Sequence, residues 1–134
     1  MVTRNEITIT NIKRLPSGRG IAAEYRGIWL VNVYAPSVTA KRQERERFHN
    51  SELPYLLRAS PSNMIVGGDF NCVLNQTDGT GYFIYSKALE VLVRDFDRQG
   101  MWRADRLRTV FTHYSPMGAS RIHRIYRTKE LIDN

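Results

Sequence analysis

Asp69 and Asn71 stand one residue apart at the end of the apolar run Met64-Ile65-Val66 and the glycine pair Gly67-Gly68. A short apolar strand that ends this way delivers a carboxylate and a carboxamide to its carboxyl end. Strand alternation points the two to one side and turns Phe70 the other way, into a core. Groups that converge at a strand end suit a divalent metal and an attacking water. Glycine, aspartate and asparagine are also ordinary turn residues, and an Asx-turn closing a strand accounts for the same six letters, Gly67 to Cys72.

Other candidates are more dispersed. Tyr34 ends the apolar run Ile28 to Tyr34, where its phenol either reaches a phosphate oxygen from the sheet edge or closes one end of the core. In Ser120-Arg121-Ile122-His123-Arg124-Ile125-Tyr126 the residues alternate, but Ile122 and Ile125 break strict parity. That pattern predicts a bulge or strand end near His123, with Arg121, His123 and Arg127 sharing a face. His123 is a base or metal ligand in type, but a lone histidine flanked by two arginines is more often a surface or second-layer residue, and those cations oppose a metal. His49 and His113 have no spacing with other ligands and read as structural. Gly79-Thr80-Gly81 and Gly18-Arg19-Gly20 lack the context of a nucleotide-binding loop.

The elements that must position these groups are legible from pattern. Ile7, Ile9 and Ile12 alternate with Thr8 and Thr10, and a turn over Leu15 to Gly20 follows. Ile21 to Tyr25 and Ile28 to Tyr34 are strands joined through Arg26-Gly27, the second stopped by Ala35-Pro36. The charged stretch Lys41 to Asn50 predicts an exposed helix running on to Leu57, with Pro54 either kinking it or beginning a new turn of it. Met64 to Gly68 is the strand before Asp69, and Asn75 to Gly81 a glycine-rich loop. Ser86 caps a helix whose apolar positions are Leu89, Leu92, Val93 and Phe96, ended by Gly100. Thr109 to Tyr114 and Ser120 to Tyr126 are further strands, separated by a turn at Pro116-Met117-Gly118. Strands dominate, with two helices, which is an α/β or α+β layered fold in one domain over residues 1–134.

The 134 residues carry 20 Lys and Arg, mostly Arg, against 13 Asp and Glu, for a net charge of +7. A flat guanidinium fork suits phosphate, so nucleic acid is the leading partner class; a basic surface that only maintains solubility gives the same charge. The single cysteine, Cys72, excludes an internal disulfide and multi-cysteine metal sites, and reads as a small apolar filler. No apolar stretch is long enough to span a membrane and no signal-peptide core precedes Ile7, so the chain reads as intracellular, not secreted, with the nucleus included.

Four stretches, Asn32-Val33-Tyr34-Ala35-Pro36, Gly68-Asp69-Phe70-Asn71, Thr109-Val110-Phe111-Thr112 and Ser120 to Tyr126, together resemble the endonuclease/exonuclease/phosphatase superfamily. More narrowly they resemble the apurinic-type endonuclease domain of retrotransposons without long terminal repeats. The resemblance runs from about Ile28 to Tyr126. It implies a deoxyribonuclease-I-like αββα sandwich of mixed sheets with flanking helices, and magnesium-dependent cleavage of a DNA phosphodiester. No small-molecule cofactor and no membrane partner are expected. Under it Asp69 orients or deprotonates the attacking water and ligates magnesium. Asn71 and Tyr34 bind the scissile phosphate, and Arg121 and Arg124 bind the DNA backbone. Where the family has aspartate in the Ser-Arg-Ile-x-Arg-Ile-Tyr strand, this chain has His123. The family's Gln-Glu strand and its Ser-Asp-His segment match nothing between Met1 and Asn134. The expectation is a truncated, partly degenerate relative with weak magnesium binding and little or no nuclease activity, the alternative being a non-catalytic nucleic-acid-binding module.

Overall fold

The computed structural model describes residues 7–37, 40–57, 63–74, 79–80, 101–103, 111–116, 118–120 and 122–128, with positions 87, 90, 91 and 94 of a further helix. Its centre is a mixed six-stranded sheet built from β1 (Thr10–Arg14), β2 (Gly20–Tyr25), β3 (Ile28–Tyr34), β4 (Met64–Asp69), β5 (Met101–Arg103) and β8 (His123–Thr128). The strand order is β1-β2-β3-β4-β8-β5. Only β3 and β4 run parallel; every other pair is antiparallel. A separate hairpin pairs β6 (His113–Ser115) with β7 (Gly118–Ser120). This is a partial deoxyribonuclease-I-like α/β fold.

Local chemistry explains the joints. The β2–β3 hairpin turns on Arg26 and Gly27, both at positive φ, which a two-residue connection matched to strand twist requires. The parallel β3–β4 pair needs a crossover, and the segment between them is helical. It comprises α1 (Arg42–Arg47), a wide π-type turn over Phe48–Glu52, and α2 (Leu53–Leu57). Pro54 sits in the first turn of α2, where its ring crowds the carbonyl four residues back. After the wide turn, Pro54 begins a new stretch of helix, the second of the two outcomes expected of it.

The crossover packs Phe48, Leu53 and Leu56 against one face of the sheet. Trp29, Val31 and Val33 of β3, Met64 and Val66 of β4, and Tyr126 of β8 supply that face, with Phe70 and Cys72 closing its upper end. No described helix packs on the opposite face. Leu30 and Ile125 remain 41% and 50% exposed there. Together with Ile21, Ala23 and Ile65 they line a shallow apolar depression of about 240 Å³.

Several expected elements shift. Ile7 to Ile9 is not strand, and β1 begins at Thr10. The strand expected over Thr109 to Tyr114 is His113–Ser115; Phe111 and Thr112 precede it, the Thr112 N–H donating to the Ser120 carbonyl at 3.0 Å, and Thr109 and Val110 lie outside the described residues. The strand expected over Ser120 to Tyr126 divides into β7 and β8. β8 begins at His123, the strand end that the pattern predicts there, and alternation from Ile122 onward is strict: Ile122, Arg124, Tyr126 and Thr128 face inward while His123 and Ile125 face outward. Lys87, Glu90, Val91 and Arg94 are helical, with Glu90 bridging Lys87 and Arg94 at 2.9 and 2.5 Å. Ser86, Leu89, Leu92, Val93, Phe96 and Gly100 lie outside the described residues. The second sheet partner of β8, β5, has no sequence signal comparable to β3 or β4.

Candidate functional site: a polar rung across three strand ends

The sheet register brings Tyr34, Asp69 and His123 into one row. Tyr34 pairs with Asp69 across the parallel β3–β4 ladder, and Asp69 pairs with His123 across β4–β8. Residues in register on adjacent strands project to the same face. This row therefore forms a polar rung at one end of that face, beyond the rows containing Leu30 with Ile65 and Asn32 with Ile125. Tyr34 is 56% exposed. The Arg19 guanidinium extends the rung, 5.8 Å from the Tyr34 ring centre and 3.5 Å from a Glu44 carboxylate oxygen.

Asp69 serves two neighbours at once. Its Oδ1 accepts the Asn71 backbone N–H at 2.8 Å, the bond of an Asx-turn, and its Oδ2 lies 3.5 Å from His123 Nε2. The turn reading and the site reading of this segment are thus both realised, one on each carboxylate oxygen. On the far side of the imidazole, Thr112 Oγ1 lies 3.0 Å from Nδ1 and accepts the His123 backbone N–H at 3.2 Å. Thr112 fixes the ring so that Nε2 faces the carboxylate. Sequence reasoning did not single it out for this role, although it closes one of the four quoted stretches.

Asn71 departs from the expected strand alternation. β4 ends at Asp69, and Asn71 adopts a left-handed backbone, φ 49°, which asparagine tolerates better than most residues. Its Nδ2 donates to the Ala35 carbonyl at 2.6 Å, so at least one amide hydrogen ties β4 to the end of β3. Beneath it, Gly68 has φ +140°, and a Cβ there would lie 2.0 Å from the Val33 carbonyl oxygen. Only glycine lets the Asp69 strand end approach β3 this closely.

The covered side of the same strand end is a separate cluster. Arg124, assigned to DNA from sequence, is 1% exposed. Strict alternation in β8 turns it away from His123 and into the core, which is why it is not available to a phosphate on the rung. Its guanidinium lies 4.9 Å from the Phe70 ring centre and donates to the Cys72 carbonyl at 2.9 Å. Cys72 Sγ sits 3.6 Å from His49 Nε2 and 3.2 Å from the Phe70 carbonyl. Burial, helped by the Arg124 charge, holds the His49 imidazole down at about 4, against a smaller raising effect of its hydrogen bond with the Phe70 backbone. Burial likewise pushes the Cys72 thiol up to about 11. Both groups are neutral near pH 7, so this pair is packing, not a nucleophile with its base. His49 and Cys72 thus have the structural roles expected of them. Arg121 lies outside the described residues.

Magnesium, which the sequence resemblance implies, favours near-octahedral oxygen ligands and coordinates poorly to imidazole. The rung offers it one carboxylate with an imidazole alongside. No group of three or more His, Cys, Asp or Glu side chains converges on a metal position among the described residues. This donor set does not fit magnesium.

The architecture is the fold seen in apurinic endonucleases and exonuclease-phosphatases. The chain is similar in structure to an apurinic endonuclease from Archaeoglobus fulgidus, with a TM-score of 0.75 and 15% identity over 95% of this chain and 61% of that one. It is similar to the 3′ phosphatase NExo from Neisseria, solved with a product DNA hairpin, at a TM-score of 0.69 and 18% identity, covering 95% and 61% of the two chains. The endonuclease domain of TRAS1, a telomere-specific retrotransposon without long terminal repeats, matches at 0.67 and 16% over 98% and 60%. The chain therefore spans about three fifths of the length of these proteins. No protein-family model and no curated protein sequence matches it.

Proposed function

We propose that this chain is a nuclease-fold domain that engages the phosphate backbone of DNA at the Tyr34–Asp69–His123 rung and has little or no magnesium-dependent phosphodiesterase activity. The observation that carries the reading is the approach of His123 Nε2 to Asp69 Oδ2 at 3.5 Å. A carboxylate that must hold a hard cation and orient water is here faced by an imidazole. The net charge of +7 and the exposed Tyr34 phenol and Arg19 favour a polyanion on the same side. The known DNA complex of a structural neighbour, the Neisseria phosphatase, supports DNA as the polyanion. The reading carries with it an intracellular, including nuclear, location.

The chemistry left to these residues is binding. The Tyr34 hydroxyl donates to a phosphate oxygen, and Arg19 supplies charge beside it. Thr112 and Asn71 hold the imidazole and the strand end in place. The test has two arms. Purified protein is incubated with supercoiled plasmid and magnesium, and a labelled duplex is titrated with protein by fluorescence anisotropy over a salt series. The plasmid is expected to stay supercoiled, and binding is expected to weaken steeply with salt as phosphate contacts require. Nicking that disappears in Asp69→Ala overturns the inactive half of the reading, and absent or salt-insensitive binding overturns the DNA half.

A further inference from the structure

A second cleft lies between the β1–β2 turn and the helical crossover. We propose that it binds an unpaired nucleic-acid strand, with Tyr55 stacking on a base and Arg14 and Arg47 holding the phosphates beside it. The site is distinct from the duplex contact at the rung and does not depend on it.

The cleft has a volume of about 480 Å³, within the range of about 300–1,000 Å³ that small-ligand sites occupy. Its two walls come from different parts of the chain. One is the end of β1 and the turn after it, where Leu15 is buried as a floor and Pro16 is exposed at the rim. The other is the crossover, which contributes Arg47, Glu52 and Tyr55. The turn is closed on itself: the Leu15 N–H donates to the Gly20 carbonyl and the Gly18 N–H to the Leu15 carbonyl, both at 2.9 Å, with Gly18 at φ +75°. Its far end carries Arg19 towards Tyr34, so the turn divides the cleft from the rung.

The lining matches a nucleotide by type. Sites for single strands combine a cationic groove that follows the backbone with exposed aromatic rings on which bases stack. Tyr55 is 53% exposed, a ring that its own fold leaves out of the core. Lys13 Nζ stands 3.9 Å from the ring centre and donates to the Tyr55 carbonyl at 2.8 Å. One face of the ring is thus held, and the other is left to the cleft. Arg14 and Arg47 are exposed and form no ion pair among the described residues. Lys13 adds a third cation at the edge, and Glu52 is the one acid in the described lining. Free guanidinium forks suit phosphate oxygens. Bases within a duplex stack on one another and offer no face to a ring, whereas unpaired bases can splay out onto one, so the cleft selects the unpaired strand. An acidic peptide would satisfy the charges and leave the Tyr55 face unfilled.

The test titrates the whole chain into three short fluorescent probes, followed by anisotropy: an oligothymidylate, its abasic counterpart and an acidic peptide of equal charge. The oligothymidylate should bind at least about fivefold more tightly than either of the others. Tyr55→Ala should weaken its binding at least about fivefold, while Tyr55→Phe, which keeps the stacking face, stays within about twofold. Arg14→Ala and Arg47→Ala should each weaken it and lower the logarithmic salt slope by about 0.7. Arg26→Gly removes a charge at the opposite end of β2, at a positive φ that glycine accepts, and should leave the affinity unchanged. Equal binding of the abasic strand or of the peptide overturns the proposal, and that comparison uses the unaltered chain. Oligothymidylate binding indifferent to Tyr55→Ala also overturns it, as does an equal loss of blunt-duplex binding in that variant. Absent duplex binding with the oligothymidylate still bound removes only the rung reading.

Discussion

The two sides of the β4 strand end carry one histidine each, and the two have opposite fates. On the covered side His49 lies in the core beside Cys72 and Arg124, where burial and a buried cation keep its ring neutral. On the open side His123 is half exposed, fixed by Thr112 and aimed at a carboxylate. A few residues of chain separate Asp69, which looks outward, from Phe70 and Cys72, which look inward. The same side-chain type is thus a packing element in one environment and an exposed partner of a carboxylate in the other. What decides is the partner that register supplies, not the residue itself.

Substitutions can break or sharpen this contrast, and the largest effect is expected at the seam both sides share. Gly68→Ala places a Cβ 2.0 Å from the Val33 carbonyl oxygen at a backbone angle that alanine rarely adopts. A loss of upwards of about 4 kcal/mol is expected, read as absence of a cooperative thermal transition in circular dichroism. A normal melt would show that the close approach of β3 and β4 is dispensable. On the covered side, Phe70→Ala removes a fully buried ring stacked edge-on against Tyr126 at 5.7 Å. It should lower stability by about 3–5 kcal/mol in denaturant titrations.

Acid should act through His49 with a defined sign. Its folded-state value of about 4 lies below the ordinary 6.5, so the unfolded chain binds more protons between those limits. The stabilisation is complete above about pH 6.5 and drains away as pH falls towards 4, amounting to about 3 kcal/mol. Urea titrations at pH 7 and 4.5 measure it, and His49→Gln should remove this part of the pH dependence. If His49→Gln keeps the full acid sensitivity, the covered histidine is not the titrating group. The smallest effects are expected on the open side. Tyr34→Phe and His123→Ala should each change stability by no more than about 0.5–1 kcal/mol, because their partners are solvated. Tyr34→Phe should nonetheless weaken duplex binding. A large stability loss in either would make the rung a structural element and erase the contrast.

The sequence made the strands of this contrast legible before their pairing. The β-branched run Ile28 to Tyr34, the turn at Arg26-Gly27 and the Met64 strand ending at Asp69 follow from local chemistry, and the structure reproduces them. Asp69 and His123 were visible as residue types. Their contact was not, because it depends on β8 pairing with β4 across more than fifty residues. Arg124 shows the limit most clearly. An arginine set between a histidine and an isoleucine, with another arginine three residues before it, reads as an exposed cation, and only the strict parity of β8 turns it inward onto Phe70 and the Cys72 carbonyl. The wide turn before Pro54 escaped for a similar reason, since helix periodicity signals where a helix runs and not how its hydrogen bonds stretch around a proline.

The wiring of the central sheet also bears on folding time. β1, β2 and β3 are consecutive antiparallel neighbours that form by short turns. The rung, by contrast, requires β4 to arrive through a thirty-residue crossover and β8 to return from still farther along the chain. Loop closures of that length are entropically disfavoured and slow, so Tyr34, Asp69 and His123 come together after the hairpins. A ligand that needs all three recognises only molecules whose long-range pairing is complete. Ligand capture during refolding would therefore lag the gain of β-sheet signal, making the rung a reporter of the last step of assembly.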